Sequence, residues 1–171
     1  MLRHPTLFPL AILLPVLTAG TLPAETIEHA GTRYWIQRVD PVKDRLELHL
    51  AGTPGEPNTF PKLEARLAAQ GRRLRFAMNS GIFEGNFLPT GLHIADGRII
   101  TPLNLDDYVK TSDGDLTPNF FLKPNGVFFI RENLTAGILE SARYAALGEK
   151  PLLATQSGPL LVQAGAIHPV L

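Results

Sequence analysis

The chain has 171 residues, 44% apolar and 19% charged, which suits one buried core of ordinary size and excludes a disordered chain. Sixteen Lys and Arg balance sixteen Asp and Glu, so the long-range positive field of a nucleic-acid binder is missing and nucleic acid is excluded as a partner. Cysteine is absent, which rules out disulfides, thiolate metal sites and a thiol nucleophile.

The N-terminus reads as an export signal. Met1 to His4 form a short basic start, Leu7 to Leu17 an apolar run broken by Pro9 and Pro15, and small residues follow at Thr18, Ala19, Gly20 and Ala24. The run is too short for a spanning helix, which needs about 20 apolar residues. Residues 1–24 are therefore expected to be a cleaved signal peptide, cut after Gly20 or Ala24. What remains, residues 25–171, is expected to form one periplasmic or secreted domain with no stable membrane insertion.

Arg33 to Val39 and Arg45 to Leu50 alternate apolar and polar residues with period two around the turn residues Asp40 to Asp44, which predicts a strand pair. A Gly- and Pro-rich loop, Ala51 to Asn58, follows. Pro61, Leu63, Leu67 and Gly71 then mark a short amphipathic helix, leading into an alternating strand over Arg73 to Met78. Asp96-Gly97 between Gly91–Ala95 and Arg98–Thr101 predicts a hairpin, because both central turn positions tolerate positive φ. A second hairpin is predicted between Asn119–Lys123 and Val127–Arg131 around Pro124-Asn125-Gly126. A strand-to-helix passage is expected over Ala136 to Leu147, and strand again from Leu152 to Ala166. The fold class is α+β, a mixed, largely antiparallel sheet with hairpins and a few short helices.

Candidate chemistry gathers at strand ends. Asn79 and Ser80 offer an amide and a hydroxyl to a sugar or phosphate oxygen, and Gly81 would allow close backbone approach; a loop-closing turn is the plainer reading of the same residues. Phe83 and Phe87 either stack on a pyranose face or belong to the core. Glu84 is the first carboxylate after this turn and a weak catalytic candidate, since glycoside cleavage needs two carboxyls and no partner stands beside it in sequence. Asp106, Asp107, Asp113 and Asp115 lack the spacing of a Ca²⁺ loop and read as a solvated acidic loop. Lys123 either meets a phosphate as a point charge or reaches water.

Ser157 lacks the Gly two residues earlier that a nucleophile elbow requires, Thr155 standing there, so Gln156 and Ser157 are assigned to hydrogen bonding. The five histidines, His4, His29, His49, His93 and His168, show no zinc spacing, and no metal or other cofactor is expected.

Taken together, Ala77-Met-Asn-Ser-Gly-Ile-Phe83, Pro89-Thr-Gly-Leu92, Asn119-Phe-Phe-Leu-Lys-Pro-Asn-Gly-Val-Phe128 and Ala154-Thr-Gln-Ser-Gly-Pro-Leu-Leu-Val-Gln-Ala-Gly165 resemble, in order and spacing, the phosphodiester glycosidase domain family. The likeness is to bacterial exported members, and more distantly to the lysosomal enzyme that uncovers phosphodiester-capped mannose. The resemblance implies hydrolysis of sugar-1-phosphate diesters or processing of exopolysaccharide. It places Asn79, Gly81, Lys123, Asn125, Gln156, Ser157 and Gly158 at motif positions, as substrate-binding residues for a carbohydrate or sugar phosphate. Members of the family continue into an arginine-bearing strand and an Asp-Gly motif, which the resemblance implies belong to the active site; neither precedes Leu171. The expectation is a C-terminally incomplete family domain with an unpaired sheet edge open to a strand-completing partner, and the alternative reading is an inactive remnant or glycan-binding module.

Overall fold

A computed structural model describes residues 25–50, 58–110, 112 and 114–168. The expected signal segment, residues 51–57 of the Gly/Pro loop and Asp113 lie outside the described residues. The chain divides into two compact units, one up to Arg38 and one from Val39 onward.

In the first unit, β1 (Glu25–His29) pairs antiparallel with β2 (Thr32–Ile36). The two-residue connection Ala30-Gly31 has positive φ at both positions, 49° and 76°, the primed-turn geometry whose twist matches that of the flanking strands. The hairpin exposes Trp35, which is 74% accessible.

This corrects the sequence expectation that the Arg33 strand would pair with Arg45–Leu50. Residues 45–50 are not strand. The Asp40 region folds instead into a tight turn in which the Lys43 and Asp44 amides donate to the Asp40 carbonyl at 2.9 and 2.7 Å. The Asp40 carboxylate accepts from the Val42 amide at 3.0 Å, and the Asp40 amide donates to the Asp44 carboxylate at 2.9 Å. Side chains closing on their own backbone outcompete the ladder that a hairpin would have made.

The second unit is built on a five-stranded antiparallel sheet. Helix α1 (Phe60–Ala69) starts with Pro61 in its first turn and buries Leu63 and Leu67, four residues apart on one face. The sheet takes β3 (His93–Ala95), β4 (Arg98–Thr101), β5 (Gly126–Ile130), β6 (Ala136–Glu140) and β7 (Leu153–Ser157), in the spatial order β4-β3-β7-β5-β6. Helix α2 (Ser141–Leu147) follows β6 directly, and a small hairpin of β8 (Val162–Gln163) and β9 (Ala166–Ile167) closes the described chain. The class is α+β, as the sequence pattern requires.

The Asp96-Gly97 hairpin forms as expected, with φ of 50° and 71° at the two turn residues. The second expected hairpin does not. Asn119–Phe121 is a 3-10 turn, not a strand, and β5 pairs with β6 on one side and β7 on the other. Placing β5 inside the sheet, between β7 and β6, lets Val127 and Phe129 reach zero exposure, each contributing about 1.5–3 kcal/mol by burial.

Strand alternation divides the sheet into two faces. On one, Leu92, Ile94, Val127, Phe129 and Ala154 pack with Tyr144 of α2. The ring centroids of Phe129 and Tyr144 are 5.4 Å apart. On the other, the register sets His93, Thr155 and Phe128 side by side across three strands.

Candidate functional site

The sequence blocks singled out above converge on the C-terminal end of β7, and Gln156 is where they meet. Its side chain is 1% exposed. The amide oxygen accepts from the Leu92 and Asn104 backbone amides, both at 3.0 Å. The amide nitrogen donates to the Asn104 carbonyl at 2.7 Å and to Ser141 Oγ at 3.0 Å. Every hydrogen-bonding position of the carboxamide is thereby filled from inside the protein. Gln156 acts as a rivet joining β3, β7, α2 and the loop through Asn104, and has nothing left to offer a ligand.

Two glycines let backbones close in on this rivet. A Cβ on Gly81 would lie 2.6 Å from Thr155 Oγ1 and 2.7 Å from the Gln156 carbonyl oxygen. One on Gly158 would lie 2.6 Å from the Phe120 carbonyl oxygen. Only glycine permits either approach. The Asn79–Gly81 turn and the Asn119–Phe121 turn are therefore both held against β7, with Asn79 exposed and Ser157 half-buried.

Lys123 and Asn125 flank the same end. Lys123 Nζ donates to the Asp106 carbonyl at 2.8 Å and to the Leu105 carbonyl at 3.4 Å, and stands 3.8 Å from the Asp107 carboxylate. Its ammonium thus fixes the acidic loop through two of its three N–H groups, with the Asp107 carboxylate beside it. Asn125 is 2% exposed and its backbone carbonyl accepts from the Ser141 amide at 2.9 Å. Both polar atoms of its side chain are buried without a partner. An orphaned buried amide costs about 1–3 kcal/mol per group, which leaves Asn125 with hydrogen-bonding capacity that its neighbours in the fold do not use.

Residues 82–90 form a short hairpin rooted here, with Thr90 donating to the Ile82 carbonyl at 2.9 Å and Glu84 to the Leu88 carbonyl at 2.8 Å. Its two ends, Gly81 and Gly91, both abut Gln156. Phe83 and Phe87 pair on this hairpin with centroids 6.1 Å apart, and Phe83 is 50% exposed, so the pair lies outside the core. Glu84 is exposed on the same hairpin.

Asn104, Ser141 and Thr90 belong to the same polar end and were not legible as such, because their partners lie 52, 15 and 14 residues away in sequence. His93 carried a usable signal, a single titratable residue inside an apolar run. Burial depresses its pKa, and its Nε2 has no partner. Among the described residues no group of three or more His, Cys, Asp or Glu is placed to hold a metal ion.

A cavity of about 370 Å³ lies at the opposite end of the sheet, between residues 41–48 and the apolar side chains of Ile130, Leu152 and Leu153. It shares no residue with the polar end, and its apolar floor lacks the convergent amides found there.

No family model and no solved structure matches the chain. The chain is similar to the Uncharacterized protein YigE of Escherichia coli (strain K12). The two are 33% identical over 132 residues, which take in 77% of this chain and 48% of YigE. The chain thus spans about half the length of that curated relative.

Proposed function

We propose that this chain forms the substrate-binding part of an exported phosphodiester glycosidase-like hydrolase that acts on sugar-1-phosphate diesters or related exopolysaccharide. The observation that carries this reading is the meeting of four separated sequence blocks at one sheet end, where the buried Asn125 amide lacks a partner. The chemistry there suits such a ligand. Lys123 supplies a cation for the phosphate, Asn125 an amide for sugar hydroxyls, and the Phe83/Phe87 pair an apolar surface for a pyranose face.

A second reading, a glycan-binding module without turnover, is favoured by the carboxylates. Asp107, which faces Lys123, is 89% exposed at its side chain and ion-paired. Glu84 is exposed too. Neither sits in the apolar setting that prepares a carboxyl to act as general acid.

Calorimetric titration of the chain with a sugar-1-phosphate diester and with the neutral glycoside of the same sugar tests the shared core of both readings. The diester is expected to bind more tightly, and Lys123→Met to weaken it about tenfold, the value of one charge-assisted hydrogen bond. Equal affinity for the two ligands, or no saturable binding, would remove the phosphate reading. Release of the sugar under the same conditions separates a hydrolase from a binding module.

A further inference from the structure

The face of the sheet opposite the Gln156 rivet carries polar groups that the binding site as described does not use. His93 on β3 is 3% exposed, and its Nε2 is buried without a hydrogen-bond partner. Its cross-strand neighbour on β7 is Thr155, and Ser157 follows two residues later on the same face. An imidazole nitrogen left unpaired in a protein interior is as costly as the Asn125 amide.

The segment that ends over this row is held at few points, among them an ion pair of Arg75 with Asp44 at 3.7 Å. Gly81 sits directly on Thr155, at the end of segment 73–81, which forms no regular element. Among the described residues no backbone–backbone hydrogen bond involves residues 73–81. Phe76 and Met78 within it are 47% and 69% exposed. A stretch with several exposed side chains and, among the described residues, no backbone bonds is of the kind that opens locally at low free-energy cost.

We propose that residues 73–81 are a strap that lifts from β7 to open a polar slot floored by His93, Thr155 and Ser157, in which His93 Nε2 hydrogen-bonds a hydroxyl of the bound sugar. The proposal rests on the sugar-phosphate reading for the identity of the guest, but the strap and the imidazole stand on the geometry alone. The slot lies on the other face of the same strand end from the Gln156 rivet.

Acylation of histidines by diethyl pyrocarbonate, followed residue by residue with mass spectrometry, tests it. His29, exposed on the β1–β2 hairpin, serves as internal reference. His93 is expected to be acylated in the free chain despite its burial, and to be protected several-fold by saturating sugar-1-phosphate diester while His29 is not. His93→Leu is expected to bind the diester about tenfold more weakly, whereas His93→Gln, which keeps a hydrogen-bonding group at that depth, stays within about twofold. An unreactive His93 beside a fully reacted His29 overturns the strap. Diester that binds through Lys123 without protecting His93, or that binds His93→Leu as tightly as the parent, overturns the role of the imidazole. Diester that does not bind at all removes the sugar-phosphate reading, and the acylation of His93 in the free chain still decides whether the strap opens.

Discussion

At the residue scale, Gln156 and Asn125 are two buried carboxamides with opposite fates. Gln156 spends all its hydrogen-bonding capacity on its own fold, while Asn125 spends none of its side-chain capacity. Substituting them should therefore separate stability from binding. Gln156→Leu strands the Leu92 and Asn104 amides and is expected to cost about 3 kcal/mol, read as a fall in the urea midpoint. Asn125→Leu removes an orphaned amide at little change in volume and is expected to be near neutral or stabilising, while abolishing the extra affinity for a hydroxyl-rich ligand. A large loss of stability in Asn125→Leu would show that the amide is satisfied within the fold. The sequence marked both residues as hydrogen-bonding groups at motif positions. It could not say which one faces inward to its neighbours, because the deciding partners, Leu92, Asn104 and Ser141, are brought in by chain reversals.

At the scale of elements, local turn chemistry was legible and long-range pairing was not. Asp96-Gly97 announced its hairpin, and Pro61 with Leu63 and Leu67 announced α1, since each signal lies within the element it specifies. Pro124-Asn125-Gly126 carries the same turn residues, yet Asn125 is buried and Gly126 opens β5. There the pairing of β5 with β7, some 27 residues on, overrides the local preference. Two of the hairpins retain an improvable turn at an alanine. Ala30 and Ala164 adopt φ of 49° and 50°, a conformation that costs a residue with a Cβ about 1–2 kcal/mol and that Asn tolerates better. Ala30→Asn and Ala164→Asn are each expected to slow amide exchange in their own hairpin about fivefold, equivalent to roughly 1 kcal/mol. Unchanged exchange in both would mean that the turns do not limit hairpin opening.

At the scale of the whole molecule, the charges are arranged so that acid weakens the larger unit in two stages. His93 is depressed below its ordinary value of 6.5 by burial, so the folded chain binds fewer protons than the unfolded one as the pH drops past that value. Its contribution is intact above pH 6.5 and lost as the pH falls toward the folded pKa. Glu47 follows at lower pH. Burial pushes its carboxyl upward, but the Arg72 hydrogen bond and the charges of Arg45, Arg72 and His49 outweigh burial and hold it below the ordinary 4.5. The ion pair at 2.7 Å to Arg72 is thus lost only as the pH falls below that value. Urea midpoints measured from pH 8 to pH 4 should decline below pH 6.5, and His93→Gln should flatten the first part of that decline. A parent chain with no pH dependence between 7 and about 5 would contradict the buried, unpaired imidazole.

The position of the single tryptophan decides how any of this can be seen. Trp35 is on the first-unit hairpin and 74% exposed, so its emission reports on a two-stranded element and on water. A fluorescence melt would therefore record the fraying of that hairpin. Buried Tyr144, packed at a tilt against Phe129, makes near-ultraviolet dichroism the optical channel that listens to the core.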